Sequence, residues 1–447
     1  MSTFHQILAN TLVASITNST LWFALTFWVY LETRSVFATG TIAGFYIASL
    51  AGSGFWFGSI VDHHRKRTVM LLSSAVSFGF YATALALHEV FGVEALRSIG
   101  HPPLWIFIVV VMSGVLAGNL RTIALPTLVT ILVPEDRRDK ANGLVGMTTG
   151  IAFLTTSVIS GFLVAWGGMR YALVFGLAFT LLVFVHLLRL NVEGDRIASD
   201  INPGEKKTVD LKGTLAIVMS INGLMALILF ATFNNFLGGV FMALMDAYGL
   251  SLVSVQTWGL LFGLLSTAFI ISGIVISRTG LGRNPLKTLL FVNVIAWTVC
   301  MFFTIQSSIV LLSIGMFIWM LIGPYAEAAE HTTLQKVVPL ERQGRVFGFA
   351  QSVEQAAAPL TAFLIGPFTE FVVIPFMTDG RGAQAIGGWF GTGPARGIAL
   401  VFTVAGVIGL LVTLLAFRSR AYRELSGRYQ QPITTPGEPQ LPPDSNR

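Results

Sequence analysis

Gly58-Ser59-Ile60-Val61-Asp62-His63-His64-Arg65-Lys66-Arg67-Thr68 is a short charged turn between two long apolar stretches. Residues 35–61 contain no Asp, Glu, Lys or Arg, and neither do residues 68–87. Each stretch is long enough to cross a bilayer as a helix, which takes ~20 apolar residues. So short a turn makes the two helices antiparallel neighbours, and Gly58 lets them approach closely at the membrane surface. Asp62 is a single acid just ahead of the bases Arg65, Lys66 and Arg67.

The pattern resembles the signature loop between the second and third helices of the major facilitator superfamily, G-x-x-x-D-R-x-G-R-K/R. Gly58, Asp62, Lys66 and Arg67 match; His63 stands where that family usually has Arg, and Arg65 where it often has Gly. Taken alone, the stretch also reads as an ordinary basic loop with one acid. A partial second copy tips the balance: Gly273 to Arg283 repeats the spacing 215 positions later, with Ser277 in the place of Asp62 and Arg278 after it. Val133-Pro134-Glu135-Asp136-Arg137 also aligns without gaps on Val338-Pro339-Leu340-Glu341-Arg342, 205 positions on. That register pairs Gly143 with Gly348 and Gly161 with Gly366. Two halves repeated in parallel are what transporters of this superfamily look like.

Composition agrees with a membrane chain. Of 447 residues 54% are hydrophobic and only 11% charged, with mean hydropathy +0.73, whereas soluble domains carry about 25% charged residues. The net charge of +6 forms no basic stripe and no aromatic-interleaved basic patch, so nucleic acid is not an expected partner. One cysteine, Cys300, allows no disulfide within the chain and no Cys/His metal cluster. No metal or other cofactor is expected. The first apolar run lacks a basic n-region and a small-residue cleavage site, so it is expected to be retained as a helix.

Twelve spans are predicted: 7–31, 37–61, 68–90, 103–131, 141–166, 170–190, 213–236, 250–277, 286–305, 308–333, 345–367 and 396–418. The fold class is therefore an all-α membrane protein with two pseudo-symmetric six-helix halves. Residues 1–190 form the N-terminal half, 191–212 a polar linker, 213–418 the C-terminal half, and 419–447 a tail expected to be partly disordered. With the N-terminus inside, 22 of the 28 Lys and Arg residues fall on inner loops and the tail, and five on outer loops. The positive-inside rule then places both termini in the cytoplasm of a multi-pass protein of the inner cell membrane. The outer segment 368–395 is long and glycine-rich; it either folds over the outer mouth or is a loose connector, and the connector is the favoured reading.

The charges inside the membrane are the most informative residues. Arg121 falls past the middle of the fourth span, where a bare Arg costs at least ~2.5 kcal/mol, so it should face protein or water. Its place resembles the fourth-helix Arg of proton-driven drug exporters, although Ala124-Leu125 replaces the Gln-Gly that often follows. Snorkelling to the inner surface is the structural alternative. Glu327, Glu330 and His331 share one face of the tenth span. The 205 offset places Glu327 at nearly the depth of Arg121, and the resemblance implies that helices 1, 4, 7 and 10 line a central cavity, where the two can meet. Glu330 is a second candidate; His331 is expected to be an ordinary surface group at the wet inner end. Glu354, with Gln351 one turn before it, is a carboxyl in the middle of the eleventh span. It is either a proton carrier or a static brace.

Thr11, Ser15, Asn18 and Trp22 form a polar stripe on the first span, and the 215 offset maps Asn234 and Asn235 of the seventh span onto Ser19 and Thr20. Both stripes fit a cavity wall, or polar groups that hold helices together. The fifth span, Gly150 to Ser157, contains no proline and does not match the Gly-Pro-rich motif of many antiporters, which counts against antiport. No Walker loop is present, so ATP drive is not encoded, and no nucleophile–base arrangement appears, so no enzyme is expected. The loops at 133–138 and 335–345 resemble the branch that holds macrolide-type efflux proteins and some siderophore exporters.

The expected function is secondary active export of small amphipathic, drug-like molecules (a multidrug-resistance type of efflux) by alternating access, in exchange for protons. The expected partners are a small-molecule substrate, protons and the lipid bilayer, with the chain a monomer. The alternatives are a dedicated metabolite or siderophore exporter, an importer, or, from other classes, a membrane enzyme or scaffold. The resemblance implies that Asp62 docks on the N-terminal end of the eleventh helix near Gln343-Gly344-Arg345, closing the inner side, with Ser277 as its weaker mirror at the start of the fifth.

Overall fold

The computed structural model describes residues 3–33, 36–192 and 211–430. Nearly all of the expected linker and the tail beyond residue 430 lie outside them. In chain order the helices are α1 (Thr3–Thr33), α2 (Val36–His63), α3 (Lys66–Ala95), α4 (Pro102–Gly118) continued by α5 (Leu120–Leu132), and α6 (Arg138–Arg189). Then come α7 (Leu211–Ser220), α8 (Leu224–Leu250), α9 (Val255–Thr279), α10 (Pro285–Phe302), α11 (Ile309–Val337) and α12 (Gln343–Phe368). A π-helical turn (Thr369–Val373) leads to α13 (Ile374–Thr378), α14 (Arg381–Phe390), α15 (Pro394–Arg418) and α16 (Arg420–Gln430). No strand occurs among the described residues.

Local chemistry sets the ends. Ser254, Asn284 and Ser308 accept the backbone N–H three residues on and so cap α9, α10 and α11. Pro285 and Pro394 sit in the first turn of α10 and α15, where a missing N–H costs nothing. A straight helix of 52 residues such as α6 would be about 78 Å long, far more than the roughly 30 Å hydrocarbon layer. The chain breaks it at Gly167-Gly168, where Gly168 has φ +59°, a conformation that a side chain resists. Thus α6 is two spans. Ten helical stretches among the described residues can cross a membrane by length and apolarity. The stretch that holds α6 crosses twice, and the 28-residue α2 completes twelve.

Two expectations are corrected. The seventh span was placed at 213–236, but Gly223 with φ +85° ends one helix and starts α8 at Leu224. The apolar run on either side of this turn hides it from a hydropathy reading. The loose connector at 368–395 is instead built from the π turn, α13 and α14. Arg396, 4% exposed, ties it down: Nε donates to Phe390 O (2.5 Å), Nη1 to Thr304 O (2.9 Å) and Nη2 to Ile305 O (2.8 Å), with the guanidinium over the Phe390 ring at 4.1 Å. The segment packs mainly on α12 and α15 of its own half.

The two halves repeat their packing. α1 lies on the first part of α6 as α8 lies on α12, α3 on α4 as α10 on α11, and α3 on the second part of α6 as α10 on α15. The halves meet through another matched pair, α2 on α12 and α6 on α9. At the end carrying the basic loops, one apolar core runs through both halves, from Ile7, Val61 and Met70 to Leu334 and Val346. At the other end the core splits: Leu25, Trp28 and Phe107 belong to one cluster, and Phe241, Phe303 and Phe402 to another. The bundle is therefore sealed at the basic end and parted at the other. Leu260, Phe363 and Met242, 79%, 80% and 74% exposed, look outward, as side chains facing lipid do.

Candidate substrate cavity and gate

A cavity of about 310 Å³ opens between the halves. Ser15, Asn18 and Trp22 of α1, Arg121 and Thr122 of α5, Thr148 of α6 and Glu327 of α11 are on its wall. His331 is there too, its ring edge-on to Phe347 at 5.5 Å, so it is a cavity residue rather than the surface group expected. Trp22 stacks against Tyr46 with ring centres 5.5 Å apart. Its indole Nε1 and the Thr11 hydroxyl are buried with no hydrogen-bond partner, which leaves them open to a solute.

Other polar residues on the wall are committed. Asn18 donates to Val115 O (2.9 Å) and accepts from the Tyr81 hydroxyl (2.8 Å), so it fastens α1 to α3 and α4. Asn234 is not on the cavity: it donates to Phe230 O (2.7 Å) and accepts from Trp297 Nε1 (2.8 Å) inside its own half. Asn235 is not on the wall either. Gln351 donates to Thr122 Oγ1 (3.1 Å) across the halves, at the rim. Tyr46, Ser73, Ser74 and Ser77 line the cavity without having been singled out. Three serines within five residues of one span (Ser73, Ser74, Ser77) were the available signal.

Arg121 does not pair with Glu327 in this state. Its Nη1 donates to Asn10 Oδ1 (2.8 Å), and its Nη2 to Ser74 Oγ (2.5 Å) and Met70 O (3.3 Å). Asn10 is fixed in turn by donating to Val183 O (2.9 Å). The physical reason is proximity within one half: α1 and α3 wrap α5 with neutral acceptors, while Glu327 belongs to the other wall. Arg121 and Glu327 face one cavity without touching, opposite charges on opposite walls.

Glu330 and Glu354 do meet. Their carboxyls lie within hydrogen-bonding reach, with Glu327 close enough to act on both. One oxygen of each is buried without a partner. Two carboxylates side by side in apolar surroundings repel, and one shared proton turns the repulsion into a hydrogen bond. Neither residue is on the cavity wall, whereas Glu327, which acts on both, is.

The basic end is closed by carboxylates on helix N-termini. Asp62, fully buried, accepts from the backbone N–H groups of Gly344 (2.7 Å) and Arg345 (2.9 Å), with Arg345 Nε 3.6 Å away. These are the unpaired first donors of α12, where a negative charge gains about 1–2 kcal/mol. The approach depends on glycine on both sides. A Cβ on Gly58 would meet Gly344 O, and one on Gly348 would meet Gly54 O; Gly54 and Gly58 thus cross Gly344 and Gly348, two small-xxx-small pairs. Lys66 is buried at the start of α3. Arg67 donates to Leu187 O (3.1 Å) and Leu188 O (2.9 Å) at the end of α6.

The mirror junction is built differently from expectation. Ser277 turns back to its own backbone at Ile274 O (2.8 Å), and Arg278 is exposed. The carboxylate there is Asp139, on the first turn of α6, which accepts from Leu281 N (2.8 Å). Sequence reading followed the repeat onto Ser277 and missed an acid on the facing helix. Lys336–Glu135 (2.8 Å), Asn142 donating to Thr332 and Gln335 (2.8 Å each) and Gln335 donating to Pro126 O (2.9 Å) complete the seal.

No curated protein matches the chain significantly. Three similar solved structures are transporters. A bacterial homologue of the iron transporter ferroportin in its outward-facing state has TM-score 0.69 at 14% identity, covering 94% of this chain and 100% of that one. The human organic anion transporter TETRAN has TM-score 0.67 at 13% identity, covering 94% and 99%. The proton:xylose symporter XylE has TM-score 0.60 at 14% identity, covering 91% and 95%. At such identities the likeness shows the fold. The model of the Major Facilitator Superfamily matches residues 7–362, and with the doubled six-helix packing and the glycine-and-acid junction already described, the chain belongs to the major facilitator superfamily.

Proposed function

We propose that the chain is a secondary active transporter that exports small amphipathic organic molecules in exchange for protons, by alternating access. The carrying observation is the cavity sealed at the basic end, with Glu327 on its wall and the Glu330–Glu354 pair within its electrostatic reach. That arrangement offers protonatable groups next to the solute space, where binding and proton loading can compete. The aromatic pair Trp22–Tyr46 beside the hydroxyls of Ser15 and Thr122 suits a solute with an apolar body and polar groups. The excess of Lys and Arg at the sealed end supports a cytoplasmic placement of that end and of both termini, and with it an outward-open reading of this state. The density of hydroxyls and amides on the wall favours a second reading, export of one polar metabolite.

Purified protein in liposomes, with an imposed pH gradient and a pH dye inside, tests the reading. A panel of lipophilic cations should dissipate the gradient only when the protein is present. Glu327→Gln should abolish this. Solute movement that ignores the gradient would overturn proton exchange while leaving transport standing.

A further inference from the structure

His63 sits inside the junction that closes the basic end and is 2% exposed. Its Nδ1 lies 2.8 Å from Ser59 O, and its Nε2 lies 2.7 Å from Arg345 Nη2. A carbonyl oxygen only accepts, so Nδ1 carries the proton. A guanidinium only donates, so Nε2 must offer its lone pair. The closed junction therefore requires a neutral imidazole in one tautomer. We infer that His63 is a proton-operated latch: protonation at Nε2 sets N–H against N–H at Arg345 and releases the basic end.

The charges around it strengthen the effect. Among the described residues, Asp62, Lys66 and Arg345 face His63 from α2, α3 and α12, all buried; the cations Lys66 and Arg345 both act on the Asp62 carboxylate. With neutral His63 the cluster has one negative and two positive charges. A protonated imidazole would set a further positive charge against the Arg345 guanidinium, 2.7 Å from Nε2. His64 and Arg65 next in the chain are exposed and bear on the latch weakly. The sign follows. Neutral imidazole belongs to the closed form, so closure is favoured at high pH and lost as pH falls through the imidazole range. Acid on the basic side thus opens that side to loading.

The test is a distance measurement on the full-length protein in liposomes. Spin labels go on Arg65→Cys and Arg283→Cys, exposed positions on equivalent loops of the two halves, with Cys300→Ala as background. Lowering the pH from about 8 to about 5.5, a window that brackets an ordinary imidazole, should raise the open-to-closed ratio roughly fivefold or more. His63→Gln, whose amide oxygen accepts at either pH, should flatten the response. Arg345→Gln should flatten it too, because a protonated imidazole can donate to an amide oxygen. A wild-type ratio that ignores pH overturns the inference. So does an unchanged response in whichever of the two variants folds, which would assign the pH dependence to Asp62.

Discussion

Arg121 spends its charge on neutral acceptors, and that has a measurable consequence. In a thermal-stability cycle, Arg121→Ala and Asn10→Ala should be non-additive by roughly 0.5–3 kcal/mol, because they share the 2.8 Å bond. Arg121→Ala with Glu327→Ala should be additive in the form sealed at the basic end, since among the described residues no hydrogen bond or ion pair joins the two. Arg121→Ala alone should cost roughly 1–3 kcal/mol, because it leaves buried acceptors unsatisfied, measured as loss of folded protein on heating. The acid pair predicts a different outcome. Glu354→Gln keeps a hydrogen bond to Glu330 and should fold, yet proton uptake driven by solute should fall about tenfold or more, the typical worth of one proton-handling group. Downhill solute flux should persist. Normal proton uptake in this variant would make Glu354 a brace.

At the level of elements, the crossing of α2 and α12 is decided by four glycines. Gly58→Val places a branched side chain against Gly344 O and Arg345 Cα. Overpacking of this kind costs about 1–3 kcal/mol, and here only the sealed form bears it. The variant should shift toward the form open at the basic end, read as longer distances between labels on the two inner loops. Arg396→Ala belongs to the same scale. It removes the donors that tie α14 to the turn after α10, each charged hydrogen bond being worth about 1.5–3 kcal/mol. Limited proteolysis should then cut within 381–390 while transport-site labelling is unchanged; resistance equal to that of the unaltered chain would show that α14 is held by its apolar face instead.

For the whole molecule, the joined core at one end and the split core at the other define the conformation. A membrane-impermeant thiol reagent should reach Ser15→Cys on the cavity wall from the side opposite the termini and not from the termini side. Asp62→Asn keeps the size of the side chain but removes the charge from the end of α12; it should reverse that pattern in part. Labelling from both sides at equal rates in the unaltered background would contradict a sealed basic end.

Apolar length and the Lys and Arg asymmetry determined twelve spans and their expected orientation from sequence alone, because lipid forces a continuous apolar run wherever the chain crosses. The docking of Asp62 was legible only through the family resemblance of its loop; from sequence Gly58 reads as a contact between α2 and α3, whereas it faces Gly344 and Arg345 of α12. The start of α8 was not legible, because Gly223 turns the chain without interrupting the apolar run. Nor was the partner of Arg121: sequence gave matched depth with Glu327, whereas packing inside one half brought Asn10, Ser74 and Met70 O nearer. Asp139 was hidden for a related reason, as a repeat predicts equivalent positions but not which of two facing helices supplies the charge. Only the tertiary structure joined Glu330 to Glu354 from different helices and set His63 against Arg345, residues 282 apart in the chain. Contacts of that kind depend on how two halves dock, and docking leaves no periodic trace in either half.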